Sequence, residues 1–550
     1  MKGPDPSVME SKMISKHHIK IFTLFFIGVF CLFAESCAPS LRSSPNEYIG
    51  PPKPAISVPQ EEKTERVTKI ADVQEPVITK GPLKVTARDA ILMTLENNRA
   101  LLIEKLNPEI YRAGEEKERA IFDPVLTGGY SRFRDKRDSD LSSVGNSLEN
   151  EVDTELGISG HIPTGTDLEL GISTGQAWSN VVTDDQYESR LGLSVTQALL
   201  RGGGLKYNLA RLHQARLDTR TSQYELRGFA EALVAEVEET YWDYALTERQ
   251  IEIFQESLKL AEKQKSETEE IIRIGSLAES ELTAAEAEIA LRREGLINAR
   301  SALGKTRLQL LRLLNPPGKK LWSRDLVILD QPVAPDVILD DVEDHVGVAL
   351  RMRPDLNQAR LQVLRGDLEI VRTKNGVLPK LDFFINLGKT GYAGAFNRSV
   401  NDIDGNSYDI LAGINLQYPV LNRDARARHR ESLLSRKQAD ESVKNMAQLV
   451  QVDVRSAYIE VSRSGEQIAA TTATRTLQEE KARIEMEKFR VGKSTTLLVA
   501  QAQRDLLASR IGETEAIANY LKSLVELYRL EGSLLERRGI EAPGHETVSF

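Results

Sequence analysis

Three short segments carry part of the pattern of a phosphate-binding loop. They are Gly304-Lys305-Thr306, Gly388-Lys389-Thr390 and Gly492-Lys493-Ser494. The complete loop also needs a glycine five residues before its second glycine, so that backbone amides can surround the phosphates. Ala299, Phe383 and Glu487 occupy those three positions. We therefore predict no nucleotide site of this kind.

Other catalytic and binding patterns are also missing from the sequence. A His-Glu-x-x-His motif does not occur and the seven histidines are scattered, so we predict no metal site. The run Gly202–Gly204 lacks the context of a dinucleotide site and is interpreted as a turn. The net charge of −9, without a patch of basic and aromatic residues, argues against nucleic acid as a partner. We predict that the protein is not an enzyme and has no cofactor.

The N-terminal segment has the composition of a secretory leader. The apolar run Ile21–Ala34 is preceded by Lys12, Lys16 and Lys20. It is shorter than the roughly 20 residues that a membrane-spanning helix needs, so residues 1–36 are predicted to be a signal peptide. A single-helix membrane anchor is the alternative.

Cys37 follows directly after this run. The sequence Ala34-Glu35-Ser36-Cys37 resembles a bacterial lipoprotein processing site, although alanine and glutamate are unusual at their positions. We predict that Cys37 is the lipid attachment site; ordinary cleavage beside an incidental cysteine is the alternative. Residues 37–80 are rich in Pro, Ser, Lys and Glu, a composition that cannot bury a core, and are predicted to be a linker or extended arm.

The remainder of the chain is predicted to contain a two-fold internal repeat. Tyr241 and Tyr458 lie in similar contexts, and so do Gly275 and Gly492; each pair is separated by 217 residues. Two equal offsets at separate landmarks are not expected by chance. We predict repeat 1 over residues 81–320, a linker over 321–340, repeat 2 over 341–535 and a C-terminal tail over 536–550.

Each repeat contains segments that alternate between apolar and small or polar residues. The apolar positions are Leu168, Leu170 and Ile172; Leu191, Leu193 and Val195; Phe383, Ile385 and Leu387; and Ile410, Ala412, Ile414 and Leu416. This period of two is typical of a half-buried strand and equally of a strand in a membrane barrel. We predict about four main strands. The segment around His161–Gly165 is longer than its counterpart and could add a hairpin.

Long segments rich in Ala, Glu, Leu, Lys and Gln follow the strands, and these residues favour helices. If Gly275 and Gly492 mark helix reversals, the helices that run from the strands to these glycines have about 70 and 68 residues, or roughly 100 Å each. The helices that follow the two glycines are only about 60 Å long. The helices predicted at Ala87–Ala120 and Val342–Asn375 can stack on them and supply the missing length.

Four strands cannot close a barrel by themselves, and open sheet edges are not tolerated in lipid. A membrane sheet built from this chain therefore needs more than one copy. A soluble antiparallel sheet is the alternative interpretation of the strands.

Two junctions resemble those of a known family. The stretch Leu193–Gly202 is similar to the strand-to-helix junction of TolC-type outer-membrane efflux proteins (outer membrane factors), and Val491–Leu506 is similar to their second helix reversal. The resemblance covers about residues 87–538. It implies a mainly α fold with β: a long coiled-coil α-helical barrel topped by a transmembrane β-barrel that a trimer forms, with twelve strands in three copies.

The family resemblance also implies a function. The chain is expected to lie in the cell outer membrane, lipid-anchored and extending into the periplasm. There it would be the passive exit duct of a tripartite efflux pump or a type I secretion system. The expected partners are two further copies, outer-membrane lipid, a periplasmic adaptor and an inner-membrane transporter that supplies the energy. The alternatives are a structural coiled-coil envelope protein and a periplasmic adaptor.

Site residues follow from the same resemblance. Gly275 and Gly492 map to the periplasmic tip that an adaptor contacts. Some members of the family carry aspartates just after the second glycine, whereas Thr495–Gln501 contains no acid. Glu279 and Glu281 lie at the matching place in repeat 1 and could form an acidic ring at the entrance; exposed, helix-forming glutamate is the simpler explanation.

Overall fold

The structure of the chain is a computed structural model. The structure describes residues 81–137, 147–179, 186–275, 277–317, 321–335, 339–544 and 546–548. The predicted signal peptide, the predicted linker and Cys37 lie outside these residues.

Helices make up most of the described chain. They are α1 (Ala87–Asn97), α2 (Arg99–Glu104), α3 (Asn107–Arg119), α4 (Leu205–Asn208), α5 (Ala210–Arg273), α6 (Ser280–Leu314), α7 (Val342–Met352), α8 (Pro354–Gly376), α9 (Phe396–Asn401), α10 (Arg423–Arg490), α11 (Thr496–Glu531) and α12 (Leu534–Arg537). Short 3₁₀ turns lie at Ala120–Phe122, Leu321–Ser323 and Asp402–Asp404.

Eight strands form two sheets. They are β1 (Leu83–Val85), β2 (Val125–Arg137), β3 (Ser147–Ile162), β4 (Thr166–Ser179), β5 (Gln186–Ala198), β6 (Leu326–Ile328), β7 (Lys380–Ala393) and β8 (Tyr408–Gln417). β1 and β6 form a small parallel pair, and the other six form one sheet in the order β2-β3-β4-β5-β7-β8.

The two long helices have the predicted lengths. α5 has 64 residues and α10 has 68, which at 1.5 Å per residue corresponds to about 100 Å each. α5 ends at Arg273, just before Gly275, whose φ is +79°; α10 ends at Arg490, just before Gly492, whose φ is +72°. A residue without a Cβ adopts this left-handed backbone at little cost. The predicted helix reversals at the two glycines are therefore confirmed.

The two shorter helices predicted at Ala87–Ala120 and Val342–Asn375 are each divided. Asn98 has an extended backbone, and its Oδ1 accepts hydrogen bonds from the amides of Ala100 and Leu101, so α1 ends and α2 begins there. In the second half, Arg353 leaves the helical conformation, with ψ at 122°, because a proline, Pro354, follows it and begins α8. The prediction of one continuous helix at each place was wrong, because local capping competes with helix continuation.

The six-stranded sheet corrects the predicted strand count. Every neighbouring pair in it is antiparallel. The first half contributes four strands, and the second contributes only β7 and β8. The predicted hairpin at His161–Gly165 is present, with Gly165 at φ +90° in the turn between β3 and β4. The expectation of about four main strands in the chain was too low because β2 and β3 alternate less cleanly than the other strands.

The helical body is held together by two apolar cores. The first joins Val234 and Val237 of α5 to Leu310 and Leu314 of α6, all nearly inaccessible to solvent, and includes β1 and α1. The second joins α10, α11 and α7; its α10 members are Val450, Val454, Ala457 and Val461. The spacing of these four residues is that of a coiled-coil seam. In each half, the apolar residues that recur at helical spacing are therefore the ones that are buried.

The C-terminal segment lies across both halves. The Tyr224 hydroxyl of α5 donates to the carbonyl of Glu546, and the amide of Val548 donates to Oδ1 of Asn357 in α8 at 3.1 Å. The Val548 side chain is buried against Tyr224 and Leu361. The predicted tail therefore contributes to the packing between α5 and α8.

Candidate functional site

One face of the six-stranded sheet is apolar across its whole width. Cross-strand pairing places one apolar residue from each strand in a single row: Leu126, Ile158, Leu170, Leu193, Leu387 and Ile410. At the two ends of this row, Leu126 is 73% exposed and Ile410 is 66% exposed. A contiguous apolar surface of this width indicates contact with lipid or with another protein.

The opposite face carries small and charged residues. The row next to the apolar one consists of Thr127, Gly157, Gly171, Gly192, Gly388 and Asp409. Arg190 donates to both carboxylate oxygens of Asp409 at 2.7 Å, which ties β5 to β8. The sheet therefore has one apolar face and one polar face.

The sheet has two open edges. Among the residues that the structure describes, β2 pairs only with β3 and β8 pairs only with β7. β2 has 13 residues and β8 has 10, and each leaves a row of backbone groups for a further strand. Because β2 and β8 run in opposite directions, the β8 edge of one copy could continue the antiparallel pattern with the β2 edge of another.

The two glycine reversals lie side by side at the end of the helical body that is remote from the sheet. Gln264 lies 11 residues before Gly275, and Gln503 lies 11 residues after Gly492. Their side chains form a hydrogen bond of 2.6 Å between the two hairpins. The structure therefore brings the two predicted tip residues to the same level.

Both tips expose apolar side chains. Ile274, directly before Gly275, is 72% exposed, and Val491, directly before Gly492, is 67% exposed. No Cβ contact within 4 Å would oppose a side chain at either glycine, so the tips are open to a partner. Paired apolar residues on two adjacent turns form a small, accessible apolar surface.

Glu279 and Glu281 lie at the start of α6, near the first tip. Glu279 is exposed, whereas Glu281 is half-buried in the first turn of the helix. Neither forms a salt bridge with any described residue. An acid at a helix N-terminus is also favoured by the helix dipole, so their position agrees both with an entrance ring and with a purely helix-stabilising role.

An arginine-lined cavity of about 530 Å³ lies between α8 and α10, close to the sheet. Arg372 pairs with Glu369 at 2.6 Å, and Arg365 pairs with Asp218 at 2.8 Å. Burial, which alone would raise the pKa of Glu369, is outweighed by hydrogen bonds from Arg372 and Gln214, so this pKa is lowered. The ion pairs keep the groove polar and charged. Sequence reasoning missed this cavity because its lining residues are dispersed from Arg201 to Ala439.

Two kinds of feature are absent from the residues that the structure describes. None of their helices combines the length and the low polarity that crossing a bilayer requires. No three His, Cys, Asp or Glu side chains among them come together as metal ligands could.

The chain matches the protein-family model described as "Outer membrane efflux protein" over residues 90–316 and 346–533. No individual curated protein sequence matches it significantly.

Solved structures of outer-membrane channels have a similar fold. The Campylobacter jejuni CmeC channel has a TM-score of 0.62 at 14% identity, with coverage of 84% of this chain and 87% of that one. The channel OprN has a TM-score of 0.61 at 17% identity, covering 81% and 90%. CusC has a TM-score of 0.61 at 16% identity, covering 88% and 99%.

Proposed function

Because this chain belongs to the outer membrane efflux protein family, we propose that it is the passive exit duct of an export machine that crosses the outer membrane and the periplasm. The machine is a tripartite efflux pump or, alternatively, a type I secretion system. The chain itself supplies a path and no chemistry, so an inner-membrane transporter provides the energy.

A single observation carries this proposal. The sheet has a continuous apolar face, a polar face and two open edges at one end of helices about 100 Å long, and the apolar tips lie at the other end. Open edges are not tolerated in lipid, where every backbone group must be paired. The β2 edge of one copy and the β8 edge of the next supply the missing pairs, and the ring that results encloses the polar face.

We take the number of copies to be three, as the family resemblance implies. Six strands per copy then give an eighteen-stranded β-barrel above an α-helical barrel, in place of the expected twelve strands. The two halves of the chain act as two copies of one repeat, of which the first carries an additional hairpin. Acylation of Cys37 would add a lipid anchor to the same membrane.

The tips at Gly275 and Gly492 are proposed to receive a periplasmic adaptor. Ile274 and Val491 offer exposed apolar contacts there, and the hydrogen bond between Gln264 and Gln503 holds the two turns level. Contact at the tips would join the duct to the transporter in the inner membrane.

Glu279 and Glu281 are proposed to line the periplasmic entrance as an acidic ring. The double substitution Glu279→Gln with Glu281→Gln should then shift the reversal potential in a salt gradient towards lower cation preference, because the ring loses its negative charge. An unchanged reversal potential would leave the two glutamates with a helix-forming role alone.

The proposal is tested by crosslinking in intact cells. A photoreactive amino acid at Ile274 or Val491 should capture a periplasmic adaptor, which mass spectrometry would identify together with the transporter. The same probe at Ile459, which is 66% exposed in the middle of α10, is the matched control and should not capture the adaptor. Outer membranes should also contain a heat-resistant oligomer of the chain.

Two results would contradict the exit duct. One is the recovery of only structural envelope proteins from both tip positions, with no ring-forming contacts between copies; this would favour a coiled-coil scaffold. The other is a tagged protein that fractionates with the inner membrane as part of a transporter complex without any oligomer in the outer membrane; this would favour an adaptor.

A further inference from the structure

The loop between β7 and β8 (residues 394–407), which contains α9, folds back onto the sheet. The hydroxyl oxygens of Ser189 in β5 and Ser399 in α9 lie 2.8 Å apart, and both residues are completely buried. The amide of Tyr392 in β7 donates to Oδ2 of Asp402 at 3.1 Å. The β7–β8 loop is therefore a packed part of the structure.

Gly391 of β7 shows on which side of the sheet this loop lies. A Cβ at Gly391 would overlap the carbonyl oxygen of Ser399 and the amide nitrogen of Ile403. Positions four residues apart in a strand point to the same side, so this Cβ would lie on the side of Leu387, a member of the apolar row. A Cβ at Gly388 would instead meet the ion pair of the polar face. The β7–β8 loop therefore lies against the apolar face.

The β7–β8 loop provides partners for polar groups on that face. The hydroxyl oxygens of Thr174 in β4 and Ser189 lie 3.3 Å apart, so Ser399 completes a chain of three hydrogen-bonded hydroxyl groups. Lys389 lies on the same face, and its Nζ donates to the carbonyl of Gly405 at 3.3 Å. Polar groups without partners are costly in an apolar environment. The loop thus makes this end of the face compatible with contact with lipid.

The β7–β8 loop also lies where the apolar surface of the sheet ends. Leu381, the first apolar residue of β7 on this face, is eight residues before Lys389. Eight residues extend roughly 27 Å along a strand. With the tilt of about 35–45° found in membrane barrels, this gives a height of about 20 Å, slightly less than the apolar band of about 25 Å in such barrels. The loop covers the next row, which contains Ser189 and Gly391, and would supply the missing height.

The exposed surface of the loop combines an aromatic ring with polar groups. Phe396, at the start of α9, is 55% exposed. The other exposed residues of α9 are polar: Asn397, Arg398 and Asn401. Tyr408, directly after the loop, and Tyr130 of β2 lie on the same face and are 71% and 70% exposed. Aromatic rings among polar groups are typical of the boundary between acyl chains and headgroups.

The β7–β8 loop lies at the end of the sheet that is remote from the helices. β7 begins at Lys380, shortly after α8 ends at Gly376, and runs from there to Ala393. Since the long helices extend into the periplasm in the proposed function, the loop is directed towards the outer leaflet and the cell surface.

We propose that the β7–β8 loop anchors the sheet at the lipid–water boundary of the outer leaflet, with Phe396 inserted between acyl chains and headgroups; this rests on the proposed function. The loop hides the hydroxyl groups and the lysine beneath it and presents an aromatic ring in their place. Because the loop leads directly into the edge strand β8, the anchor would also fix the height at which β8 meets the next copy.

The inference is tested by electron paramagnetic resonance of spin labels on the full-length oligomer in lipid bilayers. The labelled variants are Phe396→Cys, Ile410→Cys and Leu411→Cys. For each label, accessibility to oxygen, which dissolves among acyl chains, is divided by accessibility to a water-soluble nickel complex. The unsubstituted chain, whose cysteines are Cys31 and Cys37, is labelled in parallel as the blank.

Ile410 and Leu411 are the matched controls. They are neighbours in β8 and point to opposite faces of the sheet, and they are 66% and 56% exposed. The ratio should be highest at Ile410, lowest at Leu411 and intermediate at Phe396. Because Phe396 and Leu411 are almost equally exposed within one chain, exposure alone cannot produce a difference between them.

A second pair of variants tests the packing of the loop. Gly391→Ala should displace the loop, because the added Cβ overlaps its backbone, and should shift the Phe396 label towards the ratio measured at Leu411. Gly192→Ala, on the polar face, has no atom closer than 3.8 Å to its added Cβ and should leave the label at its intermediate ratio. If Gly391→Ala does not assemble, the comparison of the three labels still decides.

The outcomes separate the anchor from the duct. An intermediate ratio at Phe396 that Gly391→Ala lowers and Gly192→Ala does not supports the anchor. A Phe396 label with the ratio of Leu411, while the Ile410 label is in lipid, overturns the anchor and leaves the duct intact. An Ile410 label as accessible to the nickel complex as the Leu411 label overturns the proposed function, because the sheet then does not cross lipid.

Discussion

A buried ionic cluster ties α5 to the C-terminal segment. Arg227 is fully buried; its Nε donates to Oε1 of Glu231 at 3.2 Å, and its guanidinium also contacts Glu536 and the carbonyl of Gly532. Burial raises the pKa of Glu231 to about 8, even though the charge of Arg227 acts in the opposite direction. A carboxyl group that holds its proton near neutral pH makes the stability of this region sensitive to pH.

The substitution Glu231→Gln should reduce that sensitivity. Below about pH 4.5 the carboxyl is protonated in both the folded and the unfolded chain, so the group contributes no pH dependence. As the pH rises towards about 8, only the unfolded chain loses the proton, and the folded state loses roughly 5 kcal/mol of stability per site. Circular dichroism during urea unfolding, compared at about pH 5 and about pH 8.5, measures the difference.

The control is Glu236→Gln in the same helix, where the carboxylate is exposed and pairs with Arg312. It should keep the wild-type dependence of stability on pH. A Glu231→Gln protein with the wild-type pH dependence would show that this carboxyl is ionised in the folded state.

Close helix packing in the first hairpin depends on a single glycine. A Cβ at Gly295 of α6 would lie 2.4 to 3.0 Å from ring atoms of Phe254 in α5, closer than van der Waals contact. Gly304 lies further along the same helix and has nothing within 4 Å of its Cβ position. The two glycines therefore offer a matched comparison between packing and helix propensity.

Gly295→Ala should destabilise the protein by about 1–3 kcal/mol, because the Phe254 ring must move out of its packed position. Gly304→Ala should stabilise it by about 0.5–1 kcal/mol, since alanine favours the helix and meets no neighbour. Denaturant midpoints of the two variants and the wild type provide the measurement. A shift of both variants in the same direction would argue against close contact between α5 and α6 at this point.

At the scale of the whole molecule, the two open edges of the six-stranded sheet determine how copies of the chain can assemble. The same chain that packs its helices into two buried cores leaves β2 and β8 with a free edge each. Such edges promote aggregation of an isolated protein, whereas in a ring of copies they pair with each other and hold the assembly together. The width of the ring then follows from the number of strands that each copy supplies.

The assembled barrel should be about 1.5 times as wide as one with four strands per copy, because barrel diameter grows roughly in proportion to strand number. Electron cryo-microscopy of the oligomer in lipid nanodiscs would give the diameter and the strand count. A wall of twelve strands, with two strands of each copy folded away from it, would contradict the prediction.

Much of the helical architecture could be predicted from the sequence. The long runs of helix-forming residues and the isolated glycines Gly275 and Gly492 determine where α5 and α10 end, because both signals act over a few neighbouring residues. The alternating residues of β4, β5, β7 and β8 were identified for the same reason. The assignments of Cys37, Glu279 and Glu281, and of the tips as adaptor contacts, stay predictions.

Other features depended on contacts between distant residues. The extended backbone at Asn98 is stabilised by a hydrogen bond from its side chain to the carbonyl of Leu313, 215 residues away. The count of six strands was decided by the pairing of β2 with β3, because Arg132, Arg134 and Lys136 interrupt the apolar pattern of β2. Local residue patterns thus determined the helices and the alternating strands of this protein. Only the tertiary structure decided strand order, the open edges and the side on which Arg132 and Arg134 lie, because these depend on register between segments that are far apart in the chain.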